Sequence, residues 1–254
     1  MSDLLFEIGS EEIPASFILP ATAQMEQLFT DKMGALGLPF ESIAHYATPR
    51  RLAIVVKGIA EGQQDVEEVL LGPSKQAAFD QEGKPTRAAE GFARSKGASV
   101  DDLEVVETPK GEYLQLTRKV VGKQTSELLP SLLEEIVLAL SFPKSMKWGA
   151  NQHSFARPIQ WILALFDGKV VPFEHEGIKA GNKTCGHRFM APDPVVIKSV
   201  DGYEKNLEAV SVIGDFELRK EKVLNEIKEA VAAADFGTNA EVAVHEGLLD
   251  TVTN

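Results

Sequence analysis

The chain has 254 residues, 44% hydrophobic and 25% charged, and its formal net charge of −12 excludes a protein that binds nucleic acid nonspecifically through its whole surface. A single cysteine, Cys185, excludes an internal disulfide and points to a reducing, cytoplasmic setting. No run approaches the roughly 18 apolar residues of a membrane span, so no membrane partner is expected.

In chain order, Leu4–Ile8 reads as a short buried strand ended by Gly9-Ser10, and Pro14 opens a helical pattern to about Leu36, closed by Gly37 and Pro39. Ile43–Ala47 and Leu52–Ile59 read as strands separated by Thr48-Pro49-Arg50, and Val66–Leu71 as a third, stopped by Gly72-Pro73. Pro85 suits the first turn of a helix over 86–96, with Gly97 as its stop. Leu103–Glu107 and Tyr113–Val121 flank Pro109-Lys110-Gly111 as a hairpin. Thr125 begins an amphipathic helix with Leu128, Leu132, Ile136 and Leu140 on one face, ended before Pro143. Ile159–Phe166 and Val170–Phe173 pair across Asp167-Gly168. Tyr203–Ala209 reads as a helix, Asp215 as the N-cap of a long one to about Ala234, and a last helix starts near Ala240. No stop residue follows Leu248, Leu249 and Val252, so a longer protein truncated here is expected. Strands in hairpin-like groups with helices between groups predict an α+β fold with mostly antiparallel or mixed sheets. Two lobes are expected, 1–142 and 143–254.

Common chemistries lack their residues. Gly72-Pro-Ser-Lys75 lacks the spacing of a P-loop, and no G-x-G-x-x-G occurs. Cys185-Gly-His187 has no second ligand pair at zinc-like spacing, which favours a buried cysteine beside a hydrogen-bonded histidine. The five histidines are scattered and no G-x-S-x-G elbow is present. Glu11-Glu12 suits the positive end of the first helix better than acid–base work, since adjacent residues do not converge on one substrate atom.

The charge is unevenly placed. Ser42–Ala60, Pro143–Phe166 and Ile178–Pro192 contain no acid, and they hold Arg50, Arg51 and Lys57; Lys144, Lys147 and Arg157; Lys179, Lys183 and Arg188. An anionic partner would be held there and repelled elsewhere. Buried strands within these stretches account for the missing acids equally well.

Seven segments in order resemble the β subunit of bacterial two-subunit glycyl-tRNA synthetase. They are Phe6-Glu-Ile-Gly-Ser-Glu-Glu-Ile-Pro14, Thr48-Pro-Arg-Arg-Leu-Ala53, Gly83-Lys-Pro-Thr-Arg-Ala-Ala-Glu-Gly-Phe-Ala-Arg94, Lys110-Gly-Glu-Tyr-Leu114, Pro143-Lys-Ser-Met-Lys-Trp-Gly149, Phe155-Ala-Arg-Pro158 and Gly186-His-Arg-Phe-Met190. Ser10 and Ile13 depart from the Thr and Leu that the family pattern suggests. The resemblance implies an α2β2 glycine–tRNA ligase whose α subunit makes glycyl-adenylate from ATP with Mg, while β serves tRNA(Gly) recognition and charging. It implies that this chain is the N-terminal part of β, a little over a third of it, facing tRNA and the α subunit. The HD-like and anticodon-binding regions would lie outside it. In agreement, the arginine set of a class II catalytic core cannot be placed: Phe155-Ala-Arg157-Pro lacks the acidic and aromatic context. No catalytic residue, metal or cofactor is therefore expected in this part.

Most of the matching segments fall in or beside the acid-free stretches. Candidate RNA contacts are Arg50, Arg51, Lys144, Lys147, Trp148, Arg157, His187 and Arg188, with Lys84, Arg87 and Arg94 around the predicted helix. The planar guanidinium donates two parallel hydrogen bonds to phosphate, and Trp148 or Phe189 offers a stacking face. The competing readings are that Arg50 and Arg157, each beside a proline, anchor turns through carbonyls, that the module is purely an α-binding scaffold, or that it is an editing-type hydrolase.

Overall fold

The computed structural model describes residues 1–234 and 242–254. In chain order its elements are β1 (Ser2–Ser10), α1 (Ala15–Ala35), β2 (Ser42–Thr48), β3 (Arg51–Ile59), β4 (Val66–Ser74), α2 (Lys75–Ala78), α3 (Arg87–Ser95), β5 (Leu103–Thr108), β6 (Gly111–Val120), α4 (Thr125–Ala139), β7 (Ile159–Phe166), β8 (Lys169–Val170), β9 (Glu174–His175), β10 (Ile178–Gly181), β11 (Lys183–Cys185), β12 (Pro194–Val196), α5 (Tyr203–Ala209), α6 (Phe216–Ala233) and α7 (Glu246–Thr253). The fold is α+β, as the grouping of strands predicts. The expected start of the last helix near Ala240 lies outside the described residues.

The chain forms two compact units, one of Met1–Gly62 with Gln124–Asn254 and one of Gln63–Lys123. The expected boundary at 142/143 falls inside the first unit. The reason is the seven-residue antiparallel pairing of β1 with β7, from Leu4↔Phe166 to Ser10↔Ile159, which joins both halves of the sequence in one sheet.

That sheet runs β2-β3-β1-β7-β10-β9 with β8 on β7; β10 pairs β7 parallel and the other pairs are antiparallel. β1 reads as a continuous apolar run because both its faces are covered. Leu4, Phe6 and Ile8 pack with Ile18, Met25, Phe29 and Met33 of α1 and Leu129, Leu133 and Ile136 of α4. Leu5, on the opposite face, joins Val55, Leu163, Leu165, Tyr203 and Leu207. At roughly 1.5–3 kcal/mol per buried large apolar side chain, these two layers supply most of the unit's driving force. α4 is pinned at its start by Thr125, whose backbone N–H donates to the Glu61 carbonyl at 2.8 Å and whose hydroxyl donates to the Ala60 carbonyl at 2.5 Å. The hairpin across Asp167-Gly168 forms, but its second strand is only Lys169–Val170 rather than Val170–Phe173. Asp215 caps α6 as expected, accepting from the Leu218 N–H at 3.0 Å.

In the second unit β4-β6-β5 form an antiparallel sheet, with Ala78, Ala89 and Leu114 as its small core. α3 begins at Arg87, so Pro85 precedes the helix rather than sitting in its first turn, and Thr86 is the N-cap through a 3.3 Å bond from the Ala88 N–H to its hydroxyl. β4 does not stop at Gly72-Pro73. Gly72 stays in the strand because the Phe92 ring packs where its Cβ would be, 2.7 Å away.

Candidate functional site

The site is organised from inside the sheet. Glu7, in the middle of β1, is fully buried, a position a carboxylate holds only when donors surround it. The Trp161 Nε1–H of β7 donates to its Oε1 at 2.5 Å and the Thr184 hydroxyl of β11 donates to the same oxygen at 2.6 Å. The Tyr203 hydroxyl of α5 donates to Oε2. One side chain thus joins β1, β7, β11 and α5. Burial, with the charge of Glu7 adding to it, pushes the Tyr203 hydroxyl well above its ordinary range, so it stays a donor.

Arg51, opposite Gly9 in the β1–β3 ladder, is 2% exposed. Its Nη1 donates to the Thr184 hydroxyl at 3.4 Å, its Nη2 donates to the Cys185 carbonyl, and its Nε is buried without a partner among the described residues. Expected on an exposed RNA face, Arg51 is instead an internal brace. Arg50, the residue before it, lies in the turn between β2 and β3 rather than in the strand. Arg50 remains half-buried, its guanidinium 5.6 Å from the centre of the Trp161 ring. Its side chain carries no hydrogen bond or ion pair to a described residue, and its Nε is buried and unpaired. The Arg50 side chain therefore anchors no carbonyl of a described residue, and the carbonyl contact here is made by Arg51, to Cys185 of β11.

Arg50, Arg51, His187 and Arg188 come together around a groove of about 480 Å³, walled also by Glu12, Ile13, Phe189, Val212, Arg219 and Asn254. Glu11 and Glu12 do not lie in the first turn of α1, which holds no acid; they pair with Arg188 at 3.6 and 3.3 Å. The chain leaves β1 through Ser10 and Glu11, whose backbone N–H groups bond Arg50 and Pro158, before Pro14 starts the helix. His187 Nδ1 accepts from the backbone N–H groups of Phe189 and Met190 at 3.3 and 3.2 Å, which places the ring proton on Nε2. Cys185 is half-buried rather than buried, and burial pushes its thiol up against the opposing pull of Arg50, so it is not a poised nucleophile.

The other candidates are spread out. Lys144 and Lys147 are exposed, in a segment tied by the Met146–Phe155 backbone bridge. Trp148 is half-buried and packs on the main core. Arg157 is half-buried and donates to the Ala156 carbonyl at 3.0 Å, the carbonyl-anchoring alternative. Lys84, Arg87 and Arg94 are exposed on the second unit, with Lys84 paired to Glu82 at 2.7 Å.

Two participants escaped the sequence reading. Glu7 had a signal, a lone acid inside an apolar strand. Arg219 had none, being one charge among many on α6. It donates to the carbonyls of Ile213 and Thr253 at 2.6 and 2.7 Å and to Asn254 Oδ1 at 3.3 Å. Burial lowers its pKa to about 10; Asp215 opposes that shift and the positive charge of Arg51 adds to it. Among the described residues no cluster of three or more His, Cys, Asp or Glu is arranged for a metal ion. No described helix is long and apolar enough to cross a membrane.

The family model described as glycyl-tRNA synthetase beta subunit matches residues 4–254. Among similar proteins, the glycine–tRNA ligase beta subunit of Geobacter metallireducens is 46% identical over 253 residues, covering 100% of this chain and 36% of its own length. That of Syntrophotalea carbinolica is 44% identical over 251 residues, 99% of this chain and 36% of its own. That of Myxococcus xanthus is 40% identical over 252 residues, 99% of this chain and 35% of its own. The chain spans about a third of the length of these relatives. By a match of this extent, carried through the strand of Glu7, the Arg50-Arg51 turn and the His187-Arg188 loop alike, the chain belongs to the glycyl-tRNA synthetase beta subunit family.

Proposed function

We propose that this chain is a noncatalytic module of a glycine–tRNA ligase that faces tRNA(Gly) and the α subunit, with ATP, Mg and adenylate formation on α. The observation that carries the reading is the family match over residues 4–254. The side chains support it: the buried carboxylate of Glu7 is occupied by three donors, the one thiol is held protonated, and the acid-free stretches present Lys144, Lys147, Lys179, Lys183 and Arg188 to solvent. Such cations hold a phosphate backbone without forming bonds to a reacting atom.

The test uses the full β chain assembled with α. Replacing Lys84, Arg87, Arg94, Lys144, Lys147 and Arg188 together by Gln is expected to weaken tRNA binding and charging while glycine-dependent ATP–pyrophosphate exchange persists. Each lost phosphate contact flattens the slope of log affinity against log salt by roughly 0.7–0.9. Charging and tRNA affinity equal to the wild type would refute the RNA-facing reading. If α–β assembly, followed by sedimentation, weakened while tRNA affinity did not, the surface would be a scaffold for α instead.

A further inference from the structure

The groove beside Arg50 holds cationic donors in excess of what its own walls use. Arg188 is engaged by Glu11 and Glu12, and Arg219 is spent on carbonyls and Asn254, with no ion pair to a described residue. Arg51 lines the groove from beneath, its Nε buried and unpartnered, and the Arg50 guanidinium has no described hydrogen-bond partner at all. A buried, unpaired guanidinium nitrogen is costly unless an acceptor arrives. The His187 Nε2–H adds a neutral donor, since Nδ1 is occupied by two backbone N–H groups. Glu12 is the one carboxylate in the lining.

The rim carries a second feature. Phe189 is 83% exposed and Met190 72% exposed, on a turn fixed by the 2.9 Å bond from the Ala191 N–H to the His187 carbonyl. Large apolar side chains this bare, held on an ordered turn beside a cationic groove, match how single-stranded RNA is bound: phosphate on arginine, unstacked base on an aromatic face. The groove's volume of about 480 Å³ lies within the roughly 300–1,000 Å³ of ligand sites.

We propose that this groove is a single-nucleotide subsite for unpaired RNA, with the phosphate held by Arg50 and the His187 Nε2–H and the base stacked on Phe189. The proposal rests on the RNA-facing reading above and names the RNA as single-stranded at this point. It gives Phe189 and Arg50 separable roles, one in reading an unstacked base and one in holding its phosphate.

The experiment uses the whole β chain with α and three probes: a mixed-sequence single-stranded RNA octamer, a blunt RNA duplex of the same length, and AMP. Phe189→Ala should weaken octamer binding about tenfold, the effect of losing one base stack, and leave duplex binding unchanged. Arg50→Gln should weaken the octamer and lower the salt slope, while Arg50→Lys should restore the slope. His187→Gln should weaken the octamer only modestly. Equal loss of octamer and duplex affinity on Phe189→Ala, or no loss, would overturn the subsite. AMP binding as tightly as the octamer would also overturn it, since the groove would then serve a free nucleotide. A failed Phe189 result with a positive six-residue Gln variant leaves the RNA-facing reading standing and removes this subsite alone.

Discussion

Glu7 offers the sharpest test of how the first unit is held together. Glu7→Ala removes a buried acceptor from three donors: the Trp161 N–H, the Thr184 hydroxyl and the Tyr203 hydroxyl. Each orphaned donor costs about 1–3 kcal/mol, and relief of the carboxylate's own desolvation offsets part of the sum. The balance is the roughly 3–5 kcal/mol of a broken buried charge network. The loss is aggravated because Arg51, buried beside the same Thr184, loses the nearby negative charge. Glu7→Gln keeps a carbonyl for Trp161 and Thr184 and lets its amide donate to the Tyr203 oxygen, so it should cost about 1–2 kcal/mol. Both tryptophans, Trp148 and Trp161, lie in the first unit, so their fluorescence during urea denaturation reports that unit alone. With a slope of about 2 kcal/mol per molar urea, Glu7→Ala should lower the midpoint by about 2 M and Glu7→Gln by less than 1 M. A shift under about 0.5 M for Glu7→Ala, or equal shifts for the two variants, would refute the reasoning.

Two further outcomes follow from the same sheet and its edge. A Cβ on Gly9 would fall 1.9 Å from Trp161 Cε2, so Gly9→Ala must move the indole off Glu7; a loss of at least about 1–3 kcal/mol is expected, read as a lowered midpoint with altered tryptophan emission. His153 and His175 lie 3.1 Å apart, and burial holds both below the ordinary histidine range, with the charge of His175 lowering His153 further. The unfolded chain therefore binds more protons than the native one just below pH of about 6.5, so stability falls as pH drops through that value toward the lowered native pKa values. Thermal denaturation between pH 7.5 and 5.5 should show this loss, and His175→Gln should reduce it; an identical pH profile in the variant would contradict the assignment.

Local signals carried the individual elements, because they depend on residues a few positions apart. The spacing of apolar residues marked α1 and α4, Asp215 marked the start of α6, and Asp167-Gly168 marked the β7–β8 turn. The motif series, read in order along the chain, was enough to indicate the family. β9 to β12 went unseen because strands of two to four residues are shorter than any readable alternation.

What the sequence by itself determined was therefore the kinds of element, their order and the family. The tertiary structure alone decided how those elements are grouped and which charges face outward. The unit boundary followed from β1 pairing with β7, about 150 positions away. Glu7 and Arg51 look like surface charges in a list of residues, and they are buried because Trp161, Thr184, Cys185 and Tyr203 converge on them from positions 133 or more residues distant. Arg50, its neighbour along the chain, lies over the Trp161 ring instead, with its Nε unpaired. The cost of burying a charge depends on which donors and acceptors surround it in space, and no local pattern encodes that company.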